Sequence, residues 1–190
     1  LCLLCSETIS KRRNGRFVCP ICQQPGTLSL ATALQAGDGS AEGTSVLGSW
    51  GTKITAVVEQ VRALPPAEKC LVFSQWDDML ALLSKALDDN SVSHRRVTGK
   101  AQFEAAIGAF KGEPTMRALL LPLSSGANGL NLVEATHVLL VEPLINTEIE
   151  AQAIGRVHRM SQRRATTVHR FVVKGTIEQA ISRLRSRGSG

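Results

Sequence analysis

Two arginines three residues apart, Arg156 and Arg159, offer the most specific chemistry in this chain of 190 residues. They lie in the stretch Glu150-Ala-Gln-Ala-Ile-Gly-Arg-Val-His-Arg-Met-Ser-Gln162. That stretch reads as a helix opening near Asn146 or Thr147. Residues three or four apart share a helical face, which places Gln152, Arg156 and Arg159 together, with His158 on a different one. Ala151, Ala153, Ile154 and Val157 supply the apolar side. A guanidinium presents a planar fork of donors that matches phosphate oxygens. Two of them with an amide, and Gly155 allowing close approach, suit a polyphosphate. An arginine delivered to a transferring phosphoryl group stabilises the charge that develops there. The competing reading is a solvated basic face.

Four cysteines form a second group, as Cys2-Leu-Leu-Cys5 and Cys19-Pro-Ile-Cys22, with thirteen residues between the pairs. Two intervening residues let both thiolates of a pair reach one metal, so Cys2, Cys5, Cys19 and Cys22 are candidate Zn2+ ligands. Four cysteines could close a single site as a zinc ribbon. The bland alternative is four unligated thiols in a polar loop, and a redox role lacks a surrounding βαβ pattern. The fifth cysteine, Cys70, sits in an apolar run and reads as a small buried hydrophobe. His94, His137 and His169 show no ligand spacing and are assigned no chemistry.

Composition narrows the function classes. A hydrophobic content of 43% supports a real core, while 4% aromatics and no tyrosine argue against an aromatic stacking platform for nucleic acid. No apolar run reaches the ~18 residues of a membrane span, so no membrane partner is expected. The first residue is Leu1, and the chain reads as a piece of a longer one. Net charge is +6, but residues 151–190 hold nine Lys/Arg against one acid, Glu178, a net of +8. A basic final third favours phosphate partners such as nucleotide or DNA, although Arg183, Arg185 and Arg187 also fit a solubilising tail.

The elements that must position these residues follow from periodicity. Residues 27–51 are rich in Gly, Ser, Ala and Thr and read as a flexible linker. Thr52 can cap a helix whose apolar residues are Ile54, Val57, Val58, Val61 and Leu64, stopped by Pro65-Pro66. Apolar strands are expected at Lys69–Ser74, His94–Val97, Arg117–Leu123, His137–Glu142 and Thr166–Val173. Helices are expected at Asp77–Leu87, Gln102–Lys111 and Thr176–Leu184. Ser124–Asn131 is a polar, glycine-bearing loop. Strands alternating with helices predict an α/β fold, a mainly parallel sheet covered on both faces. Ligands of such sheets sit at the carboxyl ends of strands, where the loops after Ser74, Leu123 and Glu142 would open.

Set against these elements, the motifs resemble a known family. Gln-Ala-Ile-Gly-Arg-Val-His-Arg-Met-Ser-Gln resembles the last motif of superfamily 2 helicases in its SNF2 form, a Gln-x-x-Gly-Arg-x-x-Arg core followed by glutamine. Lys69-Cys-Leu-Val-Phe-Ser-Gln-Trp76, with Met79-Leu80, resembles the first signature strand and helix of the second RecA-like lobe. Leu119–Leu132 resembles that lobe's glycine loop ending Gly-Leu-Asn-Leu. Cys19-Pro-Ile-Cys22 followed by Gln-Gln-Pro resembles the end of a RING finger. A RING end (1–26), a linker (27–51) and a second lobe (52–190) is the order in SNF2 ATPases with an inserted RING, and the pattern resembles the type that joins SNF2, histone-linker, PHD and RING modules.

The resemblance implies roles. Arg159, and secondarily Arg156, would complete an ATP site across the cleft from a first RecA-like lobe, with Gln152 near the γ-phosphate. Gly126 and Gly129 would approach phosphate or ribose, and Ser74 would face the DNA track, though a helix cap accounts for Ser74 equally. Cys2 and Cys5 would serve a different Zn2+ from Cys19 and Cys22, each pair being half a site. No Gly-x-x-x-x-Gly-Lys-Ser/Thr loop and no Asp-Glu pair occur in these residues, so ATP and Mg2+ would need the first lobe, and this piece alone would not hydrolyse ATP. The whole protein would be a nuclear DNA-dependent ATPase and RING E3 ubiquitin ligase in DNA-damage tolerance. Its partners would be DNA or nucleosomes, a ubiquitin-charged E2 and a chromatin-bound substrate protein.

Three stretches depart from the family. Pro122, Leu123 and Ser124 stand where Ser-Thr-Arg usually begins the glycine loop, Ile145-Asn146-Thr147 replaces Trp-Asn-Pro, and Thr98-Gly99-Lys100 lacks an arginine-rich continuation. These losses count against efficient DNA-coupled translocation. They leave open two other readings, a RING ligase whose lobe is only a docking scaffold and a zinc-ribbon DNA-binding module.

Overall fold

The computed structural model describes residues 16–18, 25–27, 46–124 and 131–187. It divides into two compact units, 1–45 and 46–190. In the first, strands β1 (Arg16–Val18) and β2 (Pro25–Thr27) pair antiparallel, with Val18 opposite Pro25. Cys19 and Cys22 fall in the connection between them and, like Cys2 and Cys5, lie outside the described residues.

The second unit follows the expected alternation: α1 (Thr52–Ala63), β3 (Cys70–Ser74), α2 (Asp77–Asp89), β4 (His94–Arg96), α3 (Lys100–Gly112), β5 (Ala118–Pro122), β6 (His137–Leu140), α4 (Thr147–Ile154), β7 (Thr167–Arg170) and α5 (Ile177–Arg187). The five strands form one parallel sheet in the order β4-β5-β3-β6-β7. Every residue of β3 is buried, as a central strand covered on both faces requires. Its side chains alternate between two cores. Cys70 and Val72 join Val57, Val58 and Val61 of α1 and Leu80, Leu83 and Leu87 of α2 on one face. Leu71 and Phe73 join Ile107 and Phe110 of α3 and Ala153 of α4 on the other. This is the RecA-like architecture.

Local chemistry sets the ends of these elements. Leu64 adopts extended backbone because Pro65 follows it, which closes α1. Lys69 donates to the carbonyls of Phe110 and Glu113 at 2.6 and 2.7 Å and finishes α3. Thr52 does not cap α1. Gly51 holds that position at φ 78, a left-handed conformation that glycine adopts without a Cβ clash, and Thr52 becomes the first helical residue.

The expected linker also ends earlier than Gly51. The Leu47 N–H donates to Asn90 Oδ1 at 2.8 Å, and Asn90 Nδ2 donates back to the Leu47 carbonyl at 3.1 Å. Val46 and Trp50 pack on the core that α1 and α2 share. Residues 46–51 therefore belong to the lobe, fastened there by contacts that composition does not reveal.

Candidate functional site

The carboxyl edge of the sheet holds Ser74 at the end of β3 and, beyond β6, the start of α4. Strand β3 is followed by α2 on one face, and its neighbour β6 by α4 on the other. Adjacent strands whose connections leave to opposite faces open a crevice between their carboxyl ends, the usual ligand position in such sheets. Ser74 and Glu142 meet there. The Ser74 hydroxyl donates to Glu142 Oε1 at 2.9 Å and accepts from the Trp76 N–H at 3.0 Å. The Gln75 N–H donates to the same carboxylate oxygen at 2.5 Å. Ser74 is fully buried, and its hydroxyl faces inward to Glu142. It shapes the turn into α2, where Gln75 and Trp76 are exposed, the latter 61% accessible. Burial pushes the Glu142 carboxyl above the usual range. The Gln75 N–H, the Ser74 hydroxyl and Lys53 oppose that rise, and Glu178 reinforces it.

Asn146 opens α4 as expected, its Oδ1 accepting the Glu148 N–H at 2.8 Å. Glu150, buried on this helix, pairs with Arg170 of β7 through Nη2 at 2.7 Å and Nε at 2.8 Å, fixing α4 against the sheet.

The helix ends sooner than periodicity predicts, at Ile154 with Gly155 as its cap. From there the chain tightens: the Arg156 and Val157 N–H groups reach back three residues, to Ala153 and Ile154. Gly155 suits this close coil, because a Cβ there would lie 3.2 Å from the Ala151 carbonyl oxygen. The two arginines therefore do not share a helical face. Arg156 is buried, 8% exposed, with Nε unpartnered. Burial first, and the nearby Arg159 second, hold its pKa below the ordinary arginine value. Arg159 is exposed, with Nε donating to the Gly155 carbonyl at 3.3 Å. Gln152 is exposed on α4 and does not share the environment of Arg156. Gly126 and Gly129 lie outside the described residues, although Leu132, which ends their loop, is buried and donates its N–H to the Arg156 carbonyl at 3.0 Å.

One exposed guanidinium beside one buried guanidinium suits an anionic ligand that carries several oxygens, with Arg159 as the contacting group and Arg156 adding positive potential.

Sequence reasoning missed two clusters. Glu142 carried a signal, a lone carboxylate ending an apolar strand just before Pro143. The second lies at the amino edge of the sheet. His137 Nε2 meets Glu68 Oε2, and His137 Nδ1 lies 3.0 Å from His169 Nε2. No spacing rule reveals that pair, because it forms diagonally between neighbouring strands, His137 standing opposite Thr167 and His169 two residues further along β7. The described residues hold no group of three or more His, Cys, Asp or Glu placed to bind a metal.

Comparison with known proteins agrees with this geometry. Residues 52–161 match the family described as "Helicase conserved C-terminal domain". The chain is 48% identical over 141 residues to the human (Homo sapiens) E3 ubiquitin-protein ligase SHPRH, covering 73% of this chain and 8% of that protein. It is 32% identical over 192 residues to the DNA repair protein RAD5A of Arabidopsis thaliana, covering 97% of this chain and 18% of that protein. Among solved structures, the C-terminal part of the Fun30 ATPase domain superposes with a TM-score of 0.66 at 26% identity, covering 70% of this chain and 44% of that one.

Proposed function

The chain belongs to the helicase conserved C-terminal domain family, and on that premise we propose that it is the second lobe of an SNF2-type, DNA-dependent ATPase that also carries a RING E3 ubiquitin ligase. The observation that carries this reading is the arginine turn: exposed Arg159 and buried Arg156, close enough for one charge to act on the other. In this reading Arg159 contacts the γ-phosphate of ATP held by a first lobe, and Arg156 raises the local positive potential. Gln152, Gly126 and Gly129 complete the nucleotide contacts. ATP with Mg2+ supplies the phosphoryl group, and this chain's part is to stabilise the charge on it. Exposed apolar residues that follow β3 and β6, Trp76, Ile145 and Ile149, support an apposed lobe. The buried Ser74–Glu142 pair gives the adjoining turn a fixed shape, and DNA contact falls to the residues that turn presents.

These residues contain no phosphate-binding Gly-x-x-x-x-Gly-Lys-Ser/Thr loop, so this chain alone does not turn over ATP. Cys2, Cys5, Cys19 and Cys22 bind Zn2+ as the end of a RING that recruits a ubiquitin-charged E2. The relatives named for ubiquitin ligation and DNA repair support a nuclear protein acting on chromatin-bound substrates, DNA and nucleosomes. The chain spans no more than 18% of either named relative, so the first lobe and the upstream part of the RING belong to this proposal as well.

The test is DNA-stimulated ATP hydrolysis by the protein that joins this chain to its first lobe, wild type against Arg159→Ala. A fall of ~10³-fold or more is expected, with unchanged folding. An Arg159→Ala enzyme as fast as wild type sinks the finger assignment. A wild type that never responds to DNA favours the lobe as a docking scaffold, the reading that Pro122-Leu123-Ser124 supports.

A further inference from the structure

The glutamine that ends the arginine motif has no role in the function proposed above, yet it makes four hydrogen bonds to backbone groups. Gln162 Nε2 donates to the carbonyls of Val133 and Ala135 at 3.0 and 2.9 Å. Its Oε1 accepts the Arg164 N–H at 3.1 Å, and its own N–H donates to the Arg159 carbonyl at 2.8 Å. Two carbonyls at one end of the carboxamide and an N–H at the other fix its orientation, since only the NH2 can donate twice. Arg164 Nη2 donates to the carbonyl between them, that of Glu134, at 2.8 Å. One residue earlier, the Leu132 N–H reaches the Arg156 carbonyl. Four consecutive residues that leave the glycine loop, 132–135, are thus tied to the arginine segment.

We infer that Gln162 is a positioning residue: its carboxamide holds the exit of the glycine loop in register with the turn that carries Arg156 and Arg159, so that both meet one nucleotide. The inference rests on the proposed ATPase reading and names the part that sets the geometry of its site. Gln162 touches no reacting atom. It acts through Val133, Ala135 and Arg159, on both sides of the junction. A hydrogen-bonded clamp between two segments suits this task, because a displacement near 1 Å in a phosphoryl-transfer site costs up to ~10²-fold in rate.

Two substitutions separate positioning from bulk stability. Gln162→Glu sets a carboxylate oxygen against two carbonyl oxygens. Gln162→Lys keeps a donor that can serve both. In the protein that includes the first lobe, Gln162→Glu is expected to lower kcat for ATP between about tenfold and about a hundredfold, with KM for ATP changed less than about threefold. Gln162→Lys is expected to retain most of the wild-type rate. A core variant in the same lobe, Ile107→Val, corrects for any loss of Tm. In the 190-residue chain, the Leu132 amide of Gln162→Glu is expected to exchange with solvent at least about tenfold faster, while Val138 in the sheet is unchanged. A Gln162→Glu enzyme with wild-type kcat, a Gln162→Lys enzyme as slow as Gln162→Glu, or an unchanged Leu132 amide each overturns the inference. A wild-type protein without ATP turnover overturns the ATPase reading instead, and the Leu132 amide then decides the clamp by itself.

Discussion

Ser74→Ala tests whether the crevice between β3 and β6 is built as described. Ser74 is fully buried, donating to the Glu142 carboxylate at 2.9 Å and accepting the Trp76 N–H at 3.0 Å. A hydrogen bond to a charged group contributes about 1.5–3 kcal/mol and a neutral one about 0.5–1.5 kcal/mol. The substitution removes one of each and adds no bulk, so the chain should lose about 2–4 kcal/mol. The pH dependence is the sharper signature. Glu142 titrates above the ordinary 4.5 in the folded state, chiefly through burial, and the Ser74 hydroxyl holds that rise down. As pH falls through the raised value, Glu142 protonates and the bond from Ser74 stops being charge-assisted. The penalty is therefore full well above the raised value and should shrink by about 1 kcal/mol or more as pH falls below it. Glu142's own contribution runs the opposite way: it is present below 4.5 and lost as pH rises through the folded value. In a Glu142→Gln background the penalty of Ser74→Ala should become independent of pH. Urea unfolding of wild type, both single variants and the double variant between about pH 4 and pH 8 measures all of this. A penalty under about 0.5 kcal/mol, or one that is flat with pH in the wild-type background, would refute the reasoning.

Other outcomes follow from the same physics. Arg156→Met keeps the buried stem but removes a charge that burial disfavours. Its unfolding free energy should fall by no more than about 1 kcal/mol while ATP turnover drops, and a loss of about 3 kcal/mol or more would show that the charge stabilises the fold. His169 is pushed below its ordinary 6.5 by burial first and by His137 second. The unfolded chain then binds a proton where the folded one does not, so stability should decline as pH drops from 6.5 toward the folded value. His169→Gln should flatten that decline in a series of Tm measurements, and a slope equal to wild type would place its origin elsewhere.

Much of the lobe was legible from local pattern. The apolar runs at Leu71–Phe73 and Leu119–Leu121 could only be strands buried on both faces, and the helices between them carry their apolar residues at helical spacing. Asn146 announced the start of α4, because a short polar acceptor at that place satisfies an N–H that the helix leaves open. The end of α4 was not legible. Ala, Gln, Ile, Arg and Met beyond Thr147 all tolerate a helix, so propensity carried it on toward Gln162. The structure stops it at Ile154, and the Arg156 carbonyl, which a continuing helix would have offered to Met160, is taken by Leu132.

The alternation of strand and helix, the buried faces and the arginine motif were determined by the sequence alone, because each is a property of residues within a few positions of one another. Tertiary structure decided which strands are neighbours. With that order it decided that Ser74 would turn inward to a carboxylate 68 residues away, that His137 would meet His169, and that one arginine would be buried while the other is presented. Those outcomes depend on burial and on hydrogen bonds between distant segments, and no local window contains the partner that settles them.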